Sequence, residues 1–341
     1  MCGIIGYLGD KQVVPILIDG LRRLEYRGYD SAGVAVVRNG QIERRRSAGK
    51  LSNLEDALET DPLEGIYGVG HTRWATHGRP TEENAHPHQD CSGNIVVVHN
   101  GIIENYLDLK RELQKRGHKF VTETDSEVIA HLLEDEMKAG DGAGRGTSGT
   151  RLEAATRRAL LQMRGLFAFV AISTEDPNKI VAVRNGPPIV VGLGDNELFV
   201  ASDTPALLSH TRDVVFLGDE EMAVLTRGGV QFTNFAGTPV SKATQRVLWD
   251  PIMAEKSGYR HFMLKEIFEQ PRAAEDTMLG RLSAETGKVF LEDLNISQAD
   301  LRAVNKIVLI ACGTSWHAAL VGKFLIERLA KISTEVDYGS E

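Results

Sequence analysis

The sequence is poor in cysteine, in positive charge and in long apolar runs, and each shortage removes a class of protein. Its three cysteines, Cys2, Cys91 and Cys312, are odd in number and far apart. That argues against a disulfide framework and for a reducing compartment, with the cytoplasm as the expected location. No apolar stretch approaches the roughly 18 residues that a membrane span needs, so no membrane partner is expected. The opening residues, MCGIIGYLG, lack the basic head and long apolar core of a secretory signal. With 39 Lys and Arg against 47 Asp and Glu, the net charge is −8, which gives no general attraction to nucleic acid. The basic run Arg44-Arg45-Arg46 falls on a short strand and reads as a solvated edge. There is no phosphate-loop motif, and no cofactor or metal is expected.

What is present is a chain of 341 residues, 42% hydrophobic and 25% charged, a length and composition that suit two soluble globular domains. Cys2 stands out at the head of the apolar run CGIIGYL, which has strand length. Trimming of Met1 would place a thiol and a free α-amine on one residue. The thiolate is the nucleophilic form and titrates near ~8.5, while an α-amine titrates at roughly 7.7–8.0, so the amine can take the thiol proton near neutral pH. A second-position cysteine at the head of a buried strand is equally explained by packing, so a substrate cradle has to come from elsewhere in the chain.

Val14, Leu17, Ile18, Leu21 and Leu24 lie at helical spacing, and the stretch Glu25–Gly33 breaks that helix before a buried strand begins at Val34. Arg27 lies on the break, as a surface charge, a C-cap partner or a substrate contact. Short strands are expected at 41–47 and 66–72, with a helix at 52–60. The stretch His71–Gly78 carries a guanidinium, an indole, a hydroxyl and an imidazole, a mixture poor as core and good as a ligand rim. The run NIVVVHNG ends in Asn100-Gly101, which signals either a tight hairpin turn or an amide and an N–H aimed at one oxygen. Leu107, Leu109 and Leu113 mark a helix, and Asp125 fits the N-cap of the next one. Residues 139–150 are glycine-rich and read as a flexible loop. After a helix at 151–164, short strands near 166–173, 179–184, 197–202, 213–217, 221–226 and 229–234 imply a sheet-on-sheet core covered by helices. Patterning weakens from Thr238 to Tyr259. A helix over His261–Leu279, another at 297–304, the buried strand Lys306–Ala311, the turn Cys312-Gly313-Thr314-Ser315, a helix to 331 and a strand at Thr334–Tyr338 open a βαβ unit. There Thr314 or Ser315 either caps the helix or helps hold a phosphate.

Cys2–Gly6, Glu25–Gly33, His71–Gly78, His99–Gly101 and Thr122–Asp125, in that order, resemble the glutaminase domain of the N-terminal nucleophile (class II) glutamine amidotransferases. Tyr259–Pro271 and Ala311–Ser315 are similar to the opening of the sugar-isomerase part of the branch that aminates a phosphosugar. The resemblance implies an α+β, four-layer αββα N-terminal nucleophile glutaminase domain at 2–237, a linker at 238–260, and at 261–341 the incomplete start of an α/β phosphosugar-binding domain of the sugar-isomerase (SIS) type. It implies that Cys2 attacks the side-chain amide of L-glutamine with its own amine as proton shuttle, and that Asn100 and Gly101 form the oxyanion hole. Arg73, Thr76 and His77 would hold the α-carboxylate and Asp125 the α-ammonium. Trp74 would act as a gate, Arg27 would belong to a closing loop, and Gly313, Thr314 and Ser315 would bind the phosphosugar. The acceptor would be fructose 6-phosphate, aminated to glucosamine 6-phosphate only by a longer chain, with 1–341 competent for the glutaminase step. A homodimer through the isomerase part is also implied.

Three alternatives compete. Another class II amidotransferase, such as an amidophosphoribosyltransferase, would need a different acceptor domain from the strand, Gly-Thr-Ser turn and helix. A metallohydrolase is suggested by His71, His77, His86, His88 and His99, but only His86-Pro-His88 has a short spacing, with no cysteine or HExxH partner beside it. A regulatory phosphosugar binder with an inert N-terminal domain would leave glutamine untouched.

Overall fold

A computed structural model describes residues 2–75, 78–140, 151–248, 259–278, 282, 287, 289 and 296–339. The chain divides into two compact units, Met1–Phe262 and Met263–Glu341. In chain order the first unit contains β1 (Gly3–Leu8), α1 (Val13–Arg23), β2 (Ser31–Arg38), β3 (Gln41–Ala48), α2 (Leu51–Thr60), β4 (Tyr67–Arg73), β5 (His88–Gln89) and β6 (Ile95–Gly101). It continues with α3 (Tyr106–Lys115), α4 (Glu127–Gly140), α5 (Arg151–Leu160), β7 (Phe167–Ser173), β8 (Lys179–Asn185), β9 (Val190–Leu193) and β10 (Leu198–Ala201). It ends with β11 (Asp213–Phe216), β12 (Glu221–Thr226), β13 (Gly229–Asn234) and β14 (Gln245–Arg246).

These strands form two antiparallel sheets. One has the order β14-β11-β9-β10-β1-β4-β2-β3 and the other β13-β12-β8-β7-β6-β5. The period-2 alternation of a strand explains how they stack. On β1, Ile5 and Tyr7 join Leu17 and Leu21 of α1 in an outer core, while Ile4 and Leu8 face the core shared with Val96, Val98 and Val170 of the other sheet. On β6, Ile95 and Val97 join Val128 and Leu132 of α4 in a third core. Three apolar cores therefore separate four layers in the order helix, sheet, sheet, helix. The central strands are buried on both faces, which is why they read as continuous apolar runs and not as alternating ones. β1 lies between β10 and β4, so Cys2 projects from the end of a strand paired on both sides.

Most expected elements are present, with instructive differences. Asn100-Gly101 is not a hairpin turn: β6 runs through both residues and pairs with β7, with Gly101 opposite Phe167. Leu107 is exposed on α3, and Leu109 and Leu113 alone of the three leucines face the core. The short strands β5, β9 and β14 were not expected, since two- and four-residue strands leave little periodicity to read. The arginine run lies on β3, at the edge of its sheet, but is only half solvated: Arg44 and Arg46 donate to the carbonyls of Pro87, Glu83 and Ala85. The glycine-rich loop expected at 139–150 falls outside the described residues from 141 onward, as does 249–258 of the weakly patterned stretch.

The second unit contains α6 (Phe262–Met278), whose first residue precedes the division, then α7 (Gln298–Ala303), β15 (Lys306–Ala311), α8 (Gly313–Leu329) and β16 (Ser333–Tyr338). β15 and β16 are parallel and α8 connects them. Because α8 begins at Gly313 with Cys312 in the N-cap position, Thr314 and Ser315 lie inside its first turn and neither is the cap.

Candidate active site

The end of β1, the end of β4 and the end of β6 converge on a cavity of about 430 Å³ lined by Cys2, Arg73, Trp74, Asn100, Gly101 and Asp125, among others. Its volume is that of a small-ligand site, roughly 300–1,000 Å³. Cys2 Sγ accepts from the Trp74 backbone N–H at 3.2 Å and lies 3.6 Å from the Trp74 carbonyl oxygen. Burial pushes the thiol pKa up, against the lowering effects of the Trp74 N–H and the Arg73 charge. The raised pKa favours the neutral thiol in this site.

Asn100 donates from Nδ2 to the Cys2 carbonyl at 3.3 Å, while its Oδ1 lies 2.9 Å from His71 Nε2. An amide oxygen can only accept, so His71 carries its proton on Nε2 and fixes which way the Asn100 amide faces. Burial, above all, drives the His71 pKa down to about 3, so this donor stays neutral across the physiological range. The sequence read His71 as part of a polar rim and as a candidate metal ligand; in the structure it is the hydrogen-bond partner of Asn100. Gly101 has φ +110, and a Cβ there would collide with the Leu166 carbonyl. Only glycine can occupy this strand end beside the cavity.

Two opposite charges face the same space, both nearly buried: Arg73 is 4% exposed and Asp125 3%. Arg73 donates to the carbonyl oxygens of Arg79 and Gly78, each at 3.2 Å. Burial lowers its pKa, opposed by Asp30, Cys2, Asp125 and Glu123. Asp125 accepts the Ile103 N–H at 2.9 Å. Its carboxylate is thus tied to the loop that follows β6, in place of the helix-capping role expected for it. Thr76 and His77 lie outside the described residues.

The lip of the cavity is made by the loop after α1. Arg27, expected as a surface charge or a loop residue, has a side chain only 6% exposed that pairs with Asp203 at 3.1 Å. Tyr26 donates to the same carboxylate. Trp74 is 53% exposed, and its ring crosses Gly28 so closely that no side chain could be added there; Gly28 has φ +77. Pro187 and Pro188, before β9, complete the wall. They carried no chemical signal in the sequence, because their contribution is shape. Gly313, Thr314 and Ser315 belong to the other unit and are described there.

Among the described residues, the histidines of the metallohydrolase alternative form no metal-ligand group, and His77 lies outside them. His71, His86, His88 and His99 are buried and grouped around His86, whose ring is tilted against His71 at 4.1 Å and edge-on to His88 at 4.4 Å between centroids. Burial first keeps both His86 and His88 well below the usual histidine range, followed by the neighbouring histidines for His86 and by the Arg46, Arg73 and Arg44 charges for His88.

Comparison with known proteins agrees with this geometry. Residues 71–209 match the glutamine amidotransferase domain. Over 341 residues the chain is 51% identical to the glutamine–fructose-6-phosphate aminotransferase (isomerizing) of Symbiobacterium thermophilum, and 48% identical to that of Caldanaerobacter subterraneus. In each case this covers 100% of this chain and 54% of the relative. The chain thus spans about half the length of the curated relatives it matches. Among solved structures, glutamine phosphoribosylpyrophosphate amidotransferase from B. subtilis superposes with a TM-score of 0.58 at 19% identity, covering 98% of this chain and 65% of that one. At that identity the likeness concerns the fold alone. Two antiparallel sheets with a cysteine at the head of a central strand, the domain match over residues 71–209 and the identity along the whole of this chain agree: the chain carries a glutamine amidotransferase domain and is similar to about half the length of the glutamine–fructose-6-phosphate aminotransferases.

Proposed function

We propose that this chain hydrolyses the side-chain amide of L-glutamine at Cys2, and that in a longer protein the ammonia released goes to fructose 6-phosphate to give glucosamine 6-phosphate. The observation that carries the first half is a cavity holding one nucleophile together with Arg73 and Asp125. An amino-acid substrate brings a carboxylate and an ammonium, and these two side chains complement them. A plain amide would need neither.

In this reading the Cys2 α-amine, free once Met1 is removed, takes the thiol proton. Sγ adds to the amide carbon, and the oxyanion is met by Asn100 Nδ2 and the Gly101 N–H. The amine then returns its proton to the leaving nitrogen, ammonia departs, and water cleaves the thioester to glutamate. Thr76 and His77 would assist Arg73 on the carboxylate. Trp74 and Arg27, at the lip, would cover the bound substrate.

For the acceptor half, the full-length identity to the aminotransferases supports reading 261–341 as the start of an α/β phosphosugar-binding unit. The glutaminase unit would be 2–237 and 238–260 a linker. Gly313, Thr314 and Ser315 in the first turn of α8 would contribute to phosphate binding, and a homodimer through a complete isomerase part would follow. The test is intact-mass measurement after treatment with a diazo-ketone analogue of glutamine. A single adduct on a chain lacking Met1, absent from Cys2→Ala, is expected; an unlabelled chain would sink the proposal.

A further inference from the structure

A second cysteine stands in a different setting within the first unit. Cys91 follows β5, His118 follows α3, and His131 and Glu134 are three residues apart on α4, hence on one face of it. Cys91 Sγ, one ring nitrogen of each histidine and one Glu134 oxygen all lie within 4.8 Å of one another. Sγ is 3.5 Å from His131 Nδ1 and 3.9 Å from His118 Nδ1, and the two Nδ1 atoms are 3.3 Å apart. Glu134 Oε2 is 3.1 Å from His118 Nδ1 and 3.7 Å from His131 Nδ1. Tetrahedral zinc, with bonds of about 2.0–2.3 Å, separates its ligand atoms by roughly 3.3–3.6 Å. These five spacings bracket that value.

The protons around the cluster point the same way. His131 Nε2 faces Glu127 Oε1 and His118 Nε2 faces Asp135 Oδ1, each at 3.5 Å. Glu127 is itself held by the Val121 and Thr122 N–H groups and the Thr122 hydroxyl. A carboxylate beyond a ring nitrogen draws the proton there and leaves a lone pair on the other nitrogen. Lys119 N–H donates to Sγ at 3.3 Å, and Lys138 Nζ and the Cys91 N–H donate to the Glu134 carboxylate. The donors therefore lie outside the cluster, and lone pairs meet inside it. With both imidazoles protonated on Nε2, the Cys91 thiol is the one group left to donate within, and two ring nitrogens and a carboxylate oxygen remain as acceptors around it.

We propose that Cys91, His118, His131 and Glu134 bind one structural Zn²⁺. The thiol proton of Cys91 leaves to solvent on binding. One thiolate and one carboxylate then balance the ion, four protein ligands close its coordination shell, and the ion ties the loops after β5 and α3 to the middle of α4. This revises the expectation of no metal, and it adds to the amidotransferase reading without depending on it. Cys91 and His131 also border a cavity of about 240 Å³, which gives an ion a way in.

The test uses the purified 341-residue chain, stripped with chelator and dialysed against zinc, with metal measured by elemental mass spectrometry. About one zinc per chain is expected. Cobalt in its place should give the intense visible bands of a tetrahedral ion and a sulfur-to-metal charge-transfer band that Cys91→Ser loses and Cys2→Ala keeps. Glu127→Gln, which leaves all four ligands intact, should weaken zinc binding about 10–100-fold. A folded chain that takes up no zinc from micromolar solution, or weak octahedral cobalt bands, or a charge-transfer band lost in Cys2→Ala instead, would overturn the proposal. The cobalt spectrum of the unsubstituted chain decides the matter even where a variant fails to fold.

Discussion

Cys2 and Cys91 offer a comparison within one unit. Each thiol accepts a backbone N–H, from Trp74 at 3.2 Å and from Lys119 at 3.3 Å. The difference lies in what surrounds them. Cys2 opens on a cavity of about 430 Å³ with an arginine and an aspartate on its walls and an amide turned toward its carbonyl. Cys91 meets two imidazoles and a carboxylate at ligand spacing, each backed by a second group. Space and paired charges suit an organic substrate, and converging lone pairs suit a cation. The thiol is common to both, so its neighbours decide the chemistry.

The strongest way to break this comparison is to remove Cys2. Cys2→Ala should lower glutaminase turnover by on the order of 10⁴-fold or more, by analogy with losing a nucleophile elsewhere, while zinc content and melting temperature hold. Ammonia release in a coupled assay measures it. Equal loss in Cys91→Ser and Cys2→Ala would mean that the two sites are not separate. Next in size is Asn100→Ala, which removes a donor from the proposed oxyanion hole and should cost about 10²–10³ in kcat with little change in KM. A change in KM alone would move Asn100 from transition-state stabilisation to ground-state binding. Arg73→Lys keeps the charge but loses the fork. Because a hydrogen bond to a charged group contributes about 1.5–3 kcal/mol, KM for glutamine should rise roughly 10- to 150-fold with kcat less affected; an unchanged KM would take Arg73 out of substrate binding.

How much of this could be read in the sequence depended on range. The apolar runs of β1 and β6 were legible because burial of a whole strand leaves a pattern in adjacent residues; the strand at 306–311 and the helix after it were legible from the same kind of run, although the strand expected to be buried has Val308 and Ile310 half exposed or more. Asn100-Gly101 was not legible, since the same dipeptide serves a hairpin or a strand end. What decided it was pairing with β7, more than sixty residues on. Whether Arg27 was a surface charge, a C-cap partner or a substrate contact stayed open in the sequence, because its partner, Asp203, belongs to a segment far along the chain. The Cys91 cluster was missed because its ligands come from two loops and a helix with no short cysteine or histidine knuckle. The spacing of His131 and Glu134 on α4 was the available signal, and it did not single itself out.

The smallest effect concerns the histidines on the Cys2 side. His71 has its pKa lowered to about 3, and His86 and His88 are also lowered, burial being the main cause each time. In the unfolded chain such groups titrate near ~6.5. The unfolded state therefore binds more protons below that pH, so the stability these residues confer is complete above pH ~6.5 and is lost as pH falls, for His71 down to about 3. Each should contribute a slope of up to about 1.4 kcal/mol per pH unit in that window. Urea unfolding at a series of pH values measures the sum, and His71→Asn should reduce the slope by one proton even if it shifts the midpoint. Burial is what keeps these imidazoles neutral, and none of them belongs to the Cys91 cluster. Stripping the chain of metal should therefore leave the His71 contribution in place, so that a His71→Asn slope change that disappeared on chelation would tie the two histidine groups together and undo the comparison.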